Sequence, residues 1–82
     1  MWQEQNNSLV KEFKFADFKT AIAFVNKVGD LAEQMNHHPD IELGWGRVKI
    51  SITTHDEDKI TDKDNALAEK IDAIQKNEEN KK

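Results

Sequence analysis

The sequence predicts an α+β fold, a two-layer sandwich in which a four-stranded antiparallel sheet carries two helices on one face, in the order β-β-α-β-β-α. Three patterns predict it. Apolar residues alternate with polar ones over 9–15 and again over 48–52, the period of a half-buried strand. Between them an apolar stripe at three- and four-residue spacing runs from Phe18 to Met35. A second stripe follows from Leu67 to Ile74, again with the period of an amphipathic helix.

In the first long strand Leu9, Phe13 and Phe15 take odd positions, while Glu12 and Lys14 take even ones. Asn6-Asn7 before it tolerates positive φ, so Trp2 to Gln5 is expected to form the first arm of a hairpin. Asp17 is expected to cap the first helix, whose stripe consists of Phe18, Ala21, Ile22, Val25, Val28, Ala32 and Met35. That helix must stop before Pro39, because the residue preceding a proline is driven out of the α region. His37 and His38 therefore fall at the helix end or in the turn after it.

From Ile41 the chain reads as strand, turns at Gly44-Trp45-Gly46, and resumes with Val48, Ile50 and Ile52 alternating against Lys49, Ser51 and Thr53. Thr61 can cap the second helix, with Asp64 in the capping-box position, and Leu67, Ala68, Ile71 and Ile74 supply its buried stripe. Residues 1–76 thus read as one domain. The polar segment 77–82 lacks apolar anchors and is expected to fray.

Composition narrows the function. At 82 residues the chain is near the size where core burial only just offsets chain entropy, so association with copies of itself is expected. The absence of cysteine removes disulfides, thiolate–zinc sites and a Cys nucleophile. A net charge of -4 disfavours contact with a phosphate backbone, so direct nucleic-acid binding is not expected. The N-terminus has neither a basic start nor a long apolar stretch. No signal peptide or membrane span is expected, and the protein is expected to be cytoplasmic.

The three histidines carry the chemistry. His37 and His38 follow the first helix, and His55 follows the strand ending at Thr54. If that strand pairs beside the helix end, the three imidazoles converge on one cleft. Imidazole is both acid and base near neutrality, so such a trio suits the elimination of water.

Glu33, three residues later His37-His38-Pro39, then Trp45, Thr54-His55 and Asp64 together resemble the signature of the pterin-4a-carbinolamine dehydratases. The resemblance extends to Phe13-x-Phe15-x-x-Phe18, to Ala21 and Phe24, and to Ile60-Thr61-x-x-Asp64, and covers the chain from about Leu9 to Ile74. It implies a hydro-lyase that dehydrates 4a-hydroxytetrahydrobiopterin to the quinonoid dihydropterin in tetrahydrobiopterin recycling, with no metal or redox cofactor. It implies His37, His38 and His55 as the catalytic residues, with Glu33, Pro39, Trp45, Thr54 and Asp64 around the pterin. A homodimer joined by sheet edges or by the exposed sheet face is expected; pairing of dimers into a tetramer, as in the family, is the less favoured alternative because the helix that usually precedes the first strand is missing.

The sequence departs from that family in three places. Only a few residues precede the first strand, where the usual members have a helix. Lys59 stands where glycine is common, so the loop after His55 takes a different path unless Lys59 adopts a left-handed conformation. The segment Asp40 to Gly44 lacks the aromatic residue that some members carry, which leaves Trp45 as the ring contact.

Other readings of the same residues stay open. His37, His38 and His55 with Glu33 or Asp64 supply the donor types of a zinc site, although adjacent histidines diverge and no HExxH pair is present. Asp64 suits a helix cap alone, Glu33 an i, i+4 partner of His37, Trp45 a sheet cover or oligomer contact, and Arg47 a solvated strand end. A non-catalytic pterin-binding or dimerisation module of the same fold is the alternative function.

Overall fold

Asn6 and Asn7 both hold left-handed φ angles, 50° and 63°, the geometry that a tight two-residue hairpin turn demands. They join β1 (Gln3–Gln5) to β2 (Ser8–Lys14), with Gln5 opposite Ser8, as the Asn-Asn pair predicts. The computed structural model describes residues 2–80. After β2 come α1 (Phe18–Met35), β3 (Asp40–Gly44), β4 (Arg47–Ile52) and α2 (Asp62–Asn80). The element order is the predicted one. The backbone of α2 continues through 77–80, the start of the segment expected to fray, and Lys81 and Lys82 lie outside the described residues.

All pairings are antiparallel, and the spatial order is β1-β2-β4-β3. Alternation then decides what is buried. Leu9 and Phe13 of β2 and Val48, Ile50 and Ile52 of β4 point to the helix-bearing face and are buried, as are Ala21, Phe24, Val28 and Ala32 of α1 and Leu67, Ala68 and Ile71 of α2. The opposite face carries Glu12, Glu42, Arg47 and Lys49, which line a polar groove of about 350 Å³. Phe24 is the ring at the centre, packed 4.9 Å from Phe13 and 5.0 Å from Phe15 between centroids. Phe18, first in the predicted stripe, is instead exposed, because at the opening of α1 it lies beyond the buried line 21, 24, 28 and 32.

Asp17 caps α1 as predicted, its Oδ1 accepting the Thr20 N–H at 2.8 Å. The other end also falls before Pro39, as expected, with His37 and His38 after it. The helix stops at Met35, before proline acts, because Asn36 turns left-handed with φ 52°. The His37 N–H donates to the Ala32 carbonyl at 3.1 Å and the Asn36 N–H to that of Glu33 at 3.3 Å, the paired bonds of a Schellman ending. The turn between β3 and β4 also needs its second glycine for a specific reason. The Phe15 N–H donates to the Gly46 carbonyl at 2.8 Å, and a Cβ on Gly46 would lie 2.8 Å from the Phe15 oxygen.

The amino-terminal strand is also tied down by side chains. The Trp2 indole N–H reaches both carboxylate oxygens of Asp72 at 3.1 Å, and Lys11 reaches the same group at 2.8 Å. Trp2 also packs edge-on against Phe13 at 5.9 Å. Among the described residues no helix is long and apolar enough to cross a membrane.

Candidate active site

Three element ends meet at one end of the sheet: the carboxyl end of α1, the chain leaving β4, and the first turn of α2. The Schellman ending throws His37 and His38 off the helix path. Beyond β4, Thr54 forms an isolated bridge with Lys59, its N–H donating to the Lys59 carbonyl at 3.0 Å. The loop between them closes with Asp58 at φ 53°. The left-handed position is therefore Asp58, and Lys59 is free to pair in extended form. His55 stands at the start of this loop.

Asp64 binds these ends together. It is fully buried, and its Oδ1 lies 2.5 Å from Nε2 of His37. Its Oδ2 accepts the Thr54 hydroxyl at 2.8 Å and the Thr61 N–H at 2.7 Å. The Thr54 hydroxyl has one proton, which goes to Asp64, so the Thr61 hydroxyl donates to Thr54 across their 2.7 Å contact. Burial alone would raise the Asp64 pKa, but the hydrogen bonds from His37, Thr61 and Thr54 outweigh it and hold the carboxyl below its ordinary value. An ionised Asp64 can only accept, so Nε2 of His37 carries a proton, and in the neutral form of the ring the lone pair is on Nδ1. Cap and site role coexist in this one residue.

Glu33 does not partner His37, as helical spacing suggests. It reaches His38 instead, with Oε2 2.6 Å from Nε2, because His37 leaves the helical path at Asn36. Both members of that pair are exposed. The His55 side chain makes no hydrogen bond or ion pair among the described residues. The trio thus comprises one imidazole in a buried carboxylate pair, one in an exposed pair and one unpaired.

All three imidazoles line a single cleft of about 300 Å³, together with Thr54, Asn36, Asp56 and Lys63. The last three went unread in the sequence. Asn36 had a signal, as a residue suited to a left-handed helix cap, whereas nothing local marks Asp56 or Lys63. Pro39 lines a neighbouring groove that touches the cleft only through His38. Trp45 is not brought to the cleft within one chain. It sits in the β3–β4 turn, at the far end of β3 and β4 from the histidines, and is 72 % exposed. Arg47 lies on the outer sheet face and pairs with Glu12 at 3.2 Å. Among the described residues no three His, Cys, Asp or Glu side chains are grouped to hold a metal ion.

The arrangement brings three imidazoles, one of them oriented by a buried carboxylate, and the Lys63 side chain to one cleft. Residues 1–74 match the family described as pterin 4 alpha carbinolamine dehydratase. The chain belongs to that family. A protein of Metallosphaera sedula provisionally named as such a dehydratase is 48% identical over 92% of this chain and 78% of its own length. A relative in Chloroflexus aggregans, named in the same way, is 52% identical over 87% of this chain and 76% of its own. Among solved structures, a transcriptional coactivator/pterin dehydratase from Brucella melitensis superposes with a TM-score of 0.85 at 35% identity, covering 89% of this chain and 80% of that one. A pterin dehydratase-like protein described as a RuBisCO assembly factor in the alpha-carboxysome gives a TM-score of 0.74 at 25% identity, covering 90% and 86%.

Proposed function

We propose that the protein dehydrates 4a-hydroxytetrahydrobiopterin to the quinonoid dihydropterin, the step that returns a spent pterin cofactor to the recycling path. The His37–Asp64 pair, fixed at 2.5 Å, carries this reading. Elimination breaks the C4a–O bond and forms a C4a–N5 double bond while N5 loses its hydrogen. One group must therefore accept the N5 proton and another must protonate the departing hydroxyl.

His37 suits the first task, since its proton is committed to Asp64 and its Nδ1 lone pair remains. His38 and His55 suit the second, with Glu33 orienting His38. Thr54 acts through Asp64 and is a positioning residue, as is Asp64 itself. Positioned acid–base groups of this kind supply about 10²–10⁴-fold. The binding-module alternative, a role of the kind described for the RuBisCO assembly factor, uses Asp64 only as a helix cap and gives no chemical use to the imidazole it holds.

In this reading the working form is a homodimer in the cytoplasm. The test is dehydration of the carbinolamine generated in situ by an aromatic amino acid hydroxylase, against a no-protein control for the spontaneous reaction. Acceleration that His55→Ala lowers and His38→Ala lowers separately supports two proton-handling groups. A folded protein that leaves the spontaneous rate unchanged contradicts dehydration and moves the function to the binding module.

A further inference from the structure

The two oxygens of Asp64 are not equally engaged. Oδ2 accepts two hydrogen bonds, from the Thr54 hydroxyl at 2.8 Å and the Thr61 N–H at 2.7 Å, whereas Oδ1 meets only Nε2 of His37 at 2.5 Å. The other ring nitrogen of His37, Nδ1, has no hydrogen-bond partner among the described residues. Among those residues no buried side-chain nitrogen or oxygen lacks a partner, so Nδ1 reaches open space. The space that His37 lines is the histidine cleft of about 300 Å³. Neutral His37 therefore offers the cleft a lone pair and no proton. The surrounding groups leave that polarity in place. His38 is held in the same sense, with Nε2 on Glu33 at 2.6 Å, and none of His38, His55, Asp56 and Lys63 makes a hydrogen bond or ion pair with His37.

We infer that the cleft sorts pterins by what N5 presents: neutral His37 holds a ring with N5–H and repels one whose N5 carries only a lone pair, so the product leaves once His37 has shed the proton it took. The inference rests on the dehydratase reading above, in which Nδ1 takes the N5 proton. In that elimination the N5–H electron pair becomes the second bond between C4a and N5. The C4a–O pair leaves with the oxygen, and a second imidazole supplies the proton that completes water. Nδ1–H of the resulting imidazolium then donates to the bare N5 of the product and holds it. When that proton passes to solvent, two lone pairs face each other and the product loses its hydrogen bond, which weakens binding about tenfold or more. A fresh carbinolamine, with its hydrogen on N5, meets the lone pair correctly.

Asp64 sets this polarity, and Asp64→Asn should reverse it. Two donors converge on the Oδ2 position and one ring nitrogen faces Oδ1, so the amide oxygen takes the first place and the amide NH₂ the second. Nε2 must then accept, and the ring proton moves to Nδ1. The test uses two stable probes, a tetrahydropterin with N5–H and the 7,8-dihydropterin of the same side chain, whose N5 has only a lone pair. Both are titrated without oxygen at about pH 8, where an imidazole is ordinarily neutral. Wild type is expected to bind the tetrahydropterin about tenfold or more tightly than the dihydropterin. Asp64→Asn and His37→Ala should each bring the two affinities together. Nitrogen NMR, which needs no pterin, should place the proton of neutral His37 on Nε2 in wild type and on Nδ1 in Asp64→Asn. Equal binding of both probes by wild type, a preference that survives both substitutions, or a wild-type ring protonated on Nδ1 overturns the inference while leaving pterin binding in place. Binding of neither probe overturns the dehydratase reading and the inference with it.

Discussion

Nε2 of His37 lies 2.5 Å from Oδ1 of Asp64, joining the end of α1 to the first turn of α2 and, through Thr54, to the exit of β4. One buried carboxylate therefore caps a helix, fixes an imidazole tautomer and ties the loop that carries His55. Asp64→Asn, nearly isosteric, is expected to retain the fold, because an amide oxygen can still accept from Thr61. Its neutral group no longer stabilises an imidazolium at His37. The dehydration rate should fall about 10²-fold or more, with a changed pH profile, whereas a purely structural Asp64 would leave that profile unmoved.

Asp64→Ala removes the acceptor altogether. The Thr54 hydroxyl and the Thr61 N–H then lose their common partner in a buried place, at a cost of about 2–4 kcal/mol. Denaturant unfolding should show a lower midpoint with an unchanged slope.

Acid stability follows from the same residue. The Asp64 pKa is held below its ordinary value in the folded chain, so the unfolded chain takes up a proton first as pH falls. The stabilisation is fully present above the unfolded carboxylate pKa of about 4. It is lost as pH drops from there through the lower folded value. The melting temperature of wild type should therefore fall below about pH 4, and that of Asp64→Asn should fall less steeply over the same interval.

Much of this was legible in the sequence. The α1 stripe, the Asp17 cap and the Asn6-Asn7 turn are short-range signals, and each rests on residues within a few positions of one another. The misreadings arose where geometry passes through a turn. Glu33 was matched to His37 by helical spacing, but Asn36 ends the helix first and hands Glu33 to His38. Trp45 follows Pro39 closely in sequence, yet β3 carries it to the opposite end of the sheet. The Asp64–His37 contact spans 27 positions, and no local pattern encodes it.

The His55 loop offers a stabilising substitution. Asp58 holds φ 53°, a conformation that costs a non-glycine residue roughly 1–2 kcal/mol, offset in part by the greater chain entropy of glycine when unfolded. Asp58→Gly is expected to raise stability by up to about 1 kcal/mol, read as a higher melting temperature. Lys59→Gly should not, since Lys59 is not among the residues at positive φ.

At the other end of the sheet the opposite holds. A Cβ on Gly46 would press to 2.8 Å from the Phe15 carbonyl oxygen. Gly46→Ala is expected to cost about 1–3 kcal/mol, measurable by urea unfolding. Gly29→Ala, with open space around its Cβ, should instead stabilise α1 by roughly 0.5–1 kcal/mol.

The role of His37 is tested by the rate of 4a-hydroxytetrahydropterin dehydration with wild-type protein and with His37→Ala, both verified as folded, beside the spontaneous reaction. Wild type is expected to accelerate the reaction clearly, and His37→Ala to fall back toward the spontaneous rate. Equal acceleration by both proteins would contradict the assignment of His37 as the base held by Asp64.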